Sequence, residues 1–357
     1  MRVKIYPADL HGCGMYRLIW PAQALRRQGH DVTVVTPEHR DFQLKVDDDN
    51  VVADVMGRPE DDADVIVLQR ITHPLMAQAV GILRSKGIAV VVDMDDDLGA
   101  IHPRNPAFRD MHPAGGGAHS WSHLAKACGD ATMVTVSTSA LLGAYAPHGR
   151  GRVLYNALPE KFYSTPHTDS GLIGWPASLH SHPDDPGVTG GAVARMVSDG
   201  ADFRIAGDPT GTGAAFGLPG GRDPVGLGNV PLEDWPLAVS LLGIGVSPLA
   251  DTRFNRAKSW LKPLEMSGVG VPWVASPRPE YARLHARGAG VLADTPRRWY
   301  RELSRLHRSE AARLELGESG RAAVADLRIE LQAWRWLEAW SDALEIQRGA
   351  PVRAASA

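Results

Sequence analysis

Residues 251–281 read DTRFNRAKSWLKPLEMSGVGVPWVASPRPEY, a stretch that predicts a helix, a glycine turn and a buried strand in succession. Pro263 has no amide hydrogen and fits only the first turn of a helix, so we predict that the helix begins between Ser259 and Lys262, with Ser259 as its cap. The glycines within 268–270 end this helix. The apolar run VPWVAS then predicts a buried strand, and a helix that leads into such a strand is typical of a parallel α/β sheet.

Short apolar runs alternate with helical stretches through most of the chain, which predicts parallel sheets covered by crossover helices. In the first half the predicted strands are VKIYP, DVTVV, ADVIVLQ, IAVVVDMD, ATMVTVS and VLYNAL, with helices at 15–28, 72–86, 120–129 and 139–145. In the second half they are SGLIGW, ADFRIAG, VGLGNV, IGVSPLA, VPWVAS and GVLAD, again with helices between them. Two doubly wound α/β units therefore follow one another.

The length of 357 residues exceeds what one hydrophobic core usually serves, so we predict two domains. The polar, proline-containing segment KFYSTPHTDS marks a boundary between Rossmann-like domains at 1–165 and 166–330. In LQAWRWLEAWSDALE, an apolar stripe through Leu331, Trp334 and Trp340 predicts a terminal helix at 331–348 that crosses back to the N-terminal domain. Because ligands bind at the carboxyl ends of strands in such sheets, we expect the two domains to enclose one central cleft.

The composition is that of a soluble protein without an overall attraction to polyanions. Hydrophobic residues make up 44% of the chain and charged residues 22%, and the net charge is −3. No apolar run approaches the ~20 residues that span a bilayer, and the start MRVKIYPADL lacks the apolar core of a signal peptide. Cys13 and Cys128 are too few for a disulfide framework. We therefore expect a cytoplasmic protein with no membrane span.

Two lysines and a glutamate surround the start of the helix predicted within 251–281. A helix N-terminus offers unpaired amide groups and about half a positive charge, and the ammonium groups of Lys258 and Lys262 beside it would make a site for a diphosphate. Glu265, about one turn further along, can accept hydrogen bonds from a diol such as ribose. The alternative is a solvated charged face on which Glu265 pairs only with Lys262.

The stretch 251–281 resembles the donor-binding region of GT-B glycosyltransferases of family four, the "group 1" transferases, in which a glutamate precedes a short helix, Gly-x-Pro and an apolar strand. A weaker resemblance extends over GCGMYRLIWPAQALRRQGHDVTVV, ATMVTVSTSALLGAYAPHGRGRVLYNAL and IGWPASLHSHPDDP. The composition, rich in Ala, Arg and Gly, is similar to that of a subgroup found in actinobacterial and actinophage genomes.

The resemblance implies the GT-B fold, with an acceptor-side domain and a nucleotide-sugar-binding domain that face a central cleft. It implies an enzyme that transfers a sugar from a UDP-sugar or a GDP-sugar to an acceptor hydroxyl, with retention of configuration and without an obligatory metal ion. The acceptor stays open between a protein, a modified DNA base, a glycan and a small molecule, and so does the oligomeric state.

The resemblance also implies that Glu265 binds the ribose of the nucleotide. Members of the family usually carry a second glutamate eight positions earlier, in contact with the transferred sugar, where this chain has Ala257. Asn255 and Lys258 are the neighbouring residues that we expect to replace it. At 229–231 the family reads the nucleobase, mainly with backbone groups.

A further departure concerns the leaving diphosphate. The family tends to carry an Arg/Lys pair after the first strand of the donor domain, whereas the corresponding loop here offers Ser178, His180 and His182. Lys258 and Lys262 are therefore our candidates for the missing positive charge. In this interpretation both lysines bind the donor and take part in catalysis.

The loop HGCGMYR follows the first predicted strand and opens a helix. Gly12 and Gly14 would let backbone amide groups approach a phosphate or a sugar, and Arg17 on the first helical turn could add a charge. These three residues are donor-binding candidates. A tight turn without a ligand is the alternative.

An acidic cluster ends the strand VVVDMDDDLGAIHP, where members of the family have a histidine or an acid beside the sugar. Asp93 is still within the strand, so the exposed set is Asp95, Asp96 and Asp97. We assign Asp95 and Asp96 as catalytic candidates and Asp97 to the acceptor side. The alternatives are a DxD site for Mg or Mn on the donor diphosphate and a solvated cluster that caps a helix.

Four histidines lie on or near the proline- and glycine-rich segment 99–118, which we expect to be a functional loop over the cleft. His102 and His119 are acceptor-side candidates. His119 and His123 are one helical turn apart, a spacing that can ligate zinc, but no third ligand is evident from the spacing. His112 carries no assignment.

Two other functions fit the same pattern. A sugar-nucleotide epimerase of the same fold would bind the donor without needing an acceptor, and would convert it into a new sugar nucleotide instead of releasing free nucleotide. A non-catalytic sugar-binding module could keep the fold after losing the first glutamate, and would show no donor turnover.

Overall fold

The structure, a computed structural model, describes residues 1–36, 43–57, 59–116 and 118–351, with the backbone alone at 118 and 119. Contacts divide the chain into two units. Unit 1 comprises Met1–Pro103, Ala107–Asn156 and Ile329–Ala357, and unit 2 comprises Arg104–Pro106 and Ala157–Arg328. The domains expected from the sequence, at 1–165 and 166–330, are not divided in the same way as these units and stay a prediction.

A parallel sheet forms the centre of unit 1. Its strands β1, β2, β5, β6, β7 and β8 lie in the order β2-β1-β5-β6-β7-β8, and β3 and β4 form a separate antiparallel pair. In the described part of unit 1 the strands are β1 (Val3–Tyr6), β2 (Val32–Val34), β3 (Gln43–Val46), β4 (Val52–Met56), β5 (Val65–Gln69), β6 (Ala89–Met94), β7 (Met133–Val136) and β8 (Gly151–Val153).

The interior strands of this sheet have apolar residues on both faces. Every residue of β5 and β6 is buried, as expected for parallel strands covered by helices on two sides. In the described residues up to 156, the helical elements are α1 (Gly12–Gly14), a π-helical turn (Met15–Ile19), α2 (Trp20–Arg27), α3 (Pro59–Asp62), α4 (Pro74–Ser85), a 3₁₀ turn (Leu98–Ala100), α5 (Phe108–Met111), α6 (Ala118–Asp130) and α7 (Ser139–Tyr145).

Two details of unit 1 differ from the sequence-based prediction. The hairpin β3–β4 was not predicted, although its turn is encoded locally: Asp47 Oδ1 accepts hydrogen bonds from the amides of Asp49 (3.0 Å) and Val51 (2.8 Å). The sixth strand lies at Gly151–Val153, before most of VLYNAL, because the chain leaves the sheet soon after the amide of Leu154 bonds to the carbonyl of Val136 (2.8 Å).

Unit 2 has the strand order of a Rossmann fold. Counted along unit 2, its parallel strands lie in the order 3-2-1-4-5-6, so the topological switch point falls between the first and the fourth. These strands are β9 (Ile173–Trp175), β10 (Phe203–Ile205), β11 (Val225–Gly226), β12 (Ile244–Ser247), β13 (Trp273–Ala275) and β14 (Val291–Leu292).

An aromatic cluster anchors the core of unit 2. The ring of Phe216 meets the rings of Trp175 and Phe203 edge-on, with centroids 5.3 Å and 5.0 Å away. The helices around this core are α8 (Glu160–Ser164), α9 (Ala192–Ser198), α10 (Thr212–Phe216), α11 (Trp235–Ser240), α12 (Arg253–Arg256), α13 (Leu261–Val269), α14 (Pro279–Ala286), α15 (Pro296–Arg308) and α16 (Glu310–Ala323), with 3₁₀ turns at Leu179–Ser181, Pro186–Thr189 and Pro219–Gly221.

Helix α13 lies in the stretch 251–281, but the predicted cap is wrong. The helix begins at Leu261, and its N-cap residue is Trp260, whose side chain makes no cap hydrogen bond. Ser259 lies one residue earlier, just after the turn that follows α12, in which the amide of Lys258 reaches the carbonyl of Asn255 (3.4 Å). The helix ends at Gly270, whose φ of 85° favours glycine.

The last helices, α17 (Ile329–Gln332) and α18 (Trp334–Gln347), belong to unit 1. The predicted apolar stripe is wrong in its first half, since Leu331 and Trp334 are exposed. The buried face keeps helical spacing through both helices, from Ile329 and Ala333 to Trp336 and Trp340, and Leu331 and Trp334 lie off that face.

Candidate donor site in unit 2 and the polar clusters of unit 1

A pocket of about 490 Å³ opens at the carboxyl ends of β9, β10 and β11. Parallel α/β sheets bind their ligands at this edge, beside the switch point, and the volume lies within the usual range for ligand pockets. The lining residues come from the loop after each strand and from the starts of two helices. They include Ser178, His180, His182, Asp208, Asn229, Trp235 and Lys262.

Lys262 is held at the pocket wall from two sides. Its Nζ lies 3.2 Å from Glu265 Oε2 and 4.8 Å from the centre of the Trp235 ring, a cation–π distance. The Glu265 side chain is 0% exposed, whereas that of Lys262 is 28% exposed. The first turn of α13 therefore presents a cation to the pocket while its carboxylate faces the interior, and Glu265 does not line the pocket.

A histidine and an aspartate form a second polar group at the same pocket. His182 Nδ1 lies 2.6 Å from Asp185 Oδ2. The other carboxylate oxygen, Asp185 Oδ1, accepts hydrogen bonds from the amide of Ala250 (2.8 Å) and from Asn255 Nδ2 (2.7 Å). Asn255 also donates to the carbonyl of Ala250 (3.1 Å), so both of its amide hydrogens are used inside the protein. The expected contact of Asn255 with a sugar stays a prediction, and in this structure its Nδ2 instead donates to Asp185 and to the carbonyl of Ala250.

Electrostatics around His182 favour its neutral form. Burial lowers the pKa of the imidazole, the hydrogen bond to Asp185 raises it, and the charges of Lys258 and Lys262 lower it further, with a net shift downward. Lys258 Nζ lies 4.6 Å from the centre of the Phe254 ring. The two lysines named from the sequence therefore act on the same histidine.

In unit 1 the glycine loop is closed by a local carboxylate. Asp9 Oδ1 accepts hydrogen bonds from the amides of His11 (2.9 Å) and Gly14 (3.1 Å), and Cys13 Sγ donates to Asp9 Oδ2 (2.8 Å). A Cβ at Gly14 would lie 1.8 Å from the carbonyl oxygen of Asp9, so glycine is required there for packing. The donor-binding role expected for Gly14 stays a prediction, and in this structure its amide donates to Asp9. Gly12 has open space around it.

Arg17 lies in the interior of unit 1. Its side chain is 1% exposed and that of Asp93 is 0% exposed. The guanidinium binds Asp93 through Nε (3.1 Å) and Nη2 (2.8 Å), and Asn156 Oδ1 through Nη1 (3.0 Å). The donor-binding role expected for Arg17 stays a prediction, and in this structure its charge is neutralised and its donors are used within the unit.

The acidic cluster after β6 is paired with an arginine that the sequence analysis did not single out. Arg70 binds Asp95 in a bidentate manner (2.6 and 2.7 Å) and lies 3.6 Å from Asp96. Arg70 has a φ of 49°, which is uncommon outside glycine. The Asp97 side chain is buried. Asp95, a catalytic candidate, therefore already has a charged partner.

The structure describes two histidines of the segment 99–118, His102 and His112. His112 Nδ1 accepts a hydrogen bond from the amide of Ala114 (3.0 Å), and its ring stacks on Phe108. His102 is half-buried after the 3₁₀ turn, and the side chain of His119 lies outside the described residues. Within residues 1–36, 43–57, 59–116 and 118–351 no group of three or more His, Cys, Asp or Glu could hold a metal ion.

Solved structures of glycosyltransferases match nearly the whole chain. A glycosyltransferase from Rickettsia africae aligns with a TM-score of 0.66 at 11% identity, over 96% of this chain and 99% of that chain. Sucrose-phosphate synthase from Thermosynechococcus elongatus aligns with a TM-score of 0.63 at 14% identity, over 96% and 98%. HepE from Anabaena, in complex with UDP and glucose, aligns with a TM-score of 0.62 at 12% identity, over 96% and 99%. The fold is GT-B.

The GT-B fold predicted from the resemblance is thus confirmed, with two parallel-sheet Rossmann-like units. No protein-family model and no curated protein matches the sequence. Across the described residues, the helices are all too short or too polar to cross a membrane.

Reasoning from the sequence missed three residues of these polar groups: Asp185, Trp235 and Arg70. The sequence indicates part of the role of Asp185, because HSHPDDP places it three residues after His182 in the same loop. The other two act through contacts with residues 25 or more positions away, which no local spacing reveals.

Proposed function

We propose that this GT-B protein is a glycosyltransferase that moves a sugar from a nucleotide-sugar donor to an acceptor hydroxyl. The observation that carries the proposal is the pocket at the ends of β9, β10 and β11, where Lys262 and His182 lie together. The structure of HepE holds UDP and glucose. A nucleotide sugar fits this pocket chemically. Its diphosphate can bind to the cations, and its base and sugar can bind to the apolar and amide surfaces.

The cations at the pocket supply the electrostatic part of catalysis. When the bond between sugar and phosphate breaks, negative charge grows on the leaving diphosphate, and a cation fixed beside it stabilises the transition state by a few kcal/mol. Lys262 is fixed by Glu265 and Trp235, and Lys258 adds a second positive charge near His182. We propose that these groups make a metal ion dispensable and that transfer retains configuration.

Glu265 is proposed as a positioning residue. Its carboxylate is buried against Lys262, so a contact with the ribose would need the side chain to turn out of the interior and leave an ammonium group without its partner. Holding Lys262 in place needs no such change. The role implied by the resemblance, direct ribose binding, is the competing possibility, and the donor affinity of Glu265→Gln separates the two.

The acceptor side is proposed for unit 1, where the acidic residues after β6 lie at the carboxyl end of a parallel strand. Asp96 and Asp97, with His102, are the candidates there. Asp95 is bound by Arg70, so we propose that it orients that loop and does not act as a free base.

Incubation of the protein with UDP-sugars and GDP-sugars tests the proposal. We expect slow release of free nucleoside diphosphate by donor hydrolysis without an acceptor, and faster release once the right acceptor is present. The release should persist in EDTA. Lys262→Met should lower it, while Lys126→Met, which removes an exposed lysine paired with Asp130 on α6, should not.

Other outcomes would overturn the proposal. Conversion of the donor into an isomeric sugar nucleotide would indicate an epimerase. Binding without any turnover across donors and acceptors would indicate a sugar-binding module. Activity that EDTA abolishes and Mn²⁺ restores would reject metal independence alone.

A further inference from the structure

His182 presents one ring nitrogen to the protein and the other to the pocket. A carboxylate accepts hydrogen bonds, so the 2.6 Å contact with Asp185 Oδ2 places a proton on Nδ1 of the imidazole. Asp185 is itself fixed by the amide of Ala250 and by Asn255, which sets the orientation of the ring. No hydrogen bond among the described residues involves Nε2, and His182 lines the pocket. In a neutral His182 this nitrogen carries a lone pair.

The charges that face His182 come from three segments. Asp185, on the same loop, favours the protonated ring, while Lys258 before α13 and Lys262 in its first turn disfavour it. Burial also disfavours the charge, and the pKa of His182 in the free protein is accordingly below its ordinary value. A lone pair on Nε2 would repel a phosphate oxygen, so the free protein is not yet complementary to a diphosphate at this position.

We propose that His182 takes up a proton from the solvent at Nε2 when a nucleoside diphosphate enters this pocket, and that the imidazolium then donates a hydrogen bond to a phosphate oxygen. The inference rests on the proposed function, since it assigns the diphosphate to the pocket. One N–H bond forms, the proton comes from water or buffer, and no other bond changes.

The diphosphate itself supplies the driving force. Burial is the largest cause that opposes protonation of His182, and the two ammonium groups add to it; the negative charges of the diphosphate offset the ammonium groups and attract the imidazolium. Asp185 then faces an imidazolium and makes a charge-assisted hydrogen bond to it. As charge grows on the leaving diphosphate during transfer, the hydrogen bond from Nε2 strengthens, which makes His182 a candidate catalytic residue.

The sign of the pH dependence follows. The pKa of His182 is lowered in the free protein and raised in the complex, so between these two values the complex holds one more proton than its separated components. Across that window the affinity falls as the pH rises, by up to about tenfold per pH unit. The terminal phosphate of the nucleotide titrates near pH ~6 and must be distinguished from His182.

Calorimetric titration measures the proton directly. UDP, GDP, ADP, CDP and dTDP are titrated at a pH about one unit above the phosphate pKa, in PIPES and in Tris, whose heats of ionisation differ. We expect the wild-type protein to take up ~0.5–1 proton per nucleotide bound, and His182→Gln to lose that uptake together with about tenfold in affinity. His30→Gln, which removes an exposed histidine outside the pocket, should keep both. Asp185→Asn should lower the uptake at a given pH, because the imidazolium loses its anionic partner.

The outcomes separate the two proposals. If the wild-type protein binds a nucleotide without proton uptake, or if folded His182→Gln takes up as many protons as wild type, the inference is wrong and the proposed function stands. If none of the five nucleotides binds, the proposed function fails and the inference fails with it. The wild-type measurement decides even where a variant does not fold.

Discussion

Arg17 with Asp93 and Lys262 with Glu265 are both pairs in which the carboxylate is fully buried, yet they serve different ends. In the first pair the cation is 1% exposed, and in the second it is 28% exposed and lies on a pocket. Asp93 also accepts a hydrogen bond from Thr135 (2.7 Å), so both partners are saturated within unit 1. The ammonium group of Lys262 has three hydrogens, so it can still donate hydrogen bonds toward the pocket besides its contact with Glu265.

The difference shows what makes a buried ion pair structural or functional. A pair whose every donor and acceptor is used inside the protein can only hold elements together. Removing one partner leaves the other as a buried charge without a counterion and without water. A pair whose cation reaches a pocket keeps part of its field for a ligand. Four comparisons test the roles of these two pairs and of the buried groups near them, in order of the expected effect.

Arg17→Met should cause the largest change. It leaves Asp93 buried without its cation, so we expect the free energy of unfolding to fall by about 3–5 kcal/mol. Urea denaturation followed by circular dichroism measures it. Arg27→Met is the matched control, because Arg27 is 67% exposed and 3.8 Å from Glu330, and it should change stability by less than about 0.5 kcal/mol. If both variants lose the same free energy of unfolding, burial of the Arg17–Asp93 pair does not increase its contribution to stability.

Lys262→Met should act on turnover more than on stability. Removal of the pocket cation should lower the rate of donor cleavage by about tenfold to a hundredfold, since its charge matters most as the diphosphate leaves. Rates of nucleotide release and melting temperatures are measured on the same preparations, with Lys126→Met as the control. A variant that melts well below wild type but cleaves donor normally would make the Lys262 pair structural, like that of Arg17.

Trp336→Phe compared with Trp340→Phe isolates one hydrogen bond near Arg17. Both tryptophans are fully buried in α18, but Trp336 Nε1 donates to the carbonyl of Arg17 (2.7 Å), whereas Trp340 Nε1 is buried without a partner. We expect the first substitution to cost about 1 kcal/mol more than the second. Denaturation curves of the two variants give the difference, and the opposite order would mean that packing around Trp340 outweighs the hydrogen bond.

Glu265→Gln should have the smallest effect on binding. The amide keeps the shape and can still accept a hydrogen bond from Lys262, so we expect donor affinity to change by less than about threefold. Calorimetric titration of the nucleoside diphosphate measures it. A loss of tenfold or more would show that Glu265 reaches the ribose, and would replace the positioning role with direct binding.

The fold could be predicted from the sequence because its signals are local. The fully apolar runs of β5 and β6, the proline within α13 and the glycine after it are each legible within a few residues. The caps and buried faces of the helices were harder to predict from the sequence. The cap of α13 depends on the turn that follows α12, and the apolar residues of α18 fit more than one stripe, of which tertiary packing selects the one through Trp336 and Trp340.

The candidate site was predictable only in part. The sequence by itself determined a doubly wound architecture and a pair of lysines at a helix start, because periodicity and proline chemistry act over neighbouring residues. Only the tertiary structure decided which charges remain available. Arg17 and Lys262 look alike as cations at the first turn of a helix, but Asp93 and Asn156 reach Arg17 from 76 and 139 residues away, whereas Lys262 meets its carboxylate within its own helix and keeps one side toward the pocket. Burial and long-range pairing set the free energy of a charge, and neither is a property of the local sequence.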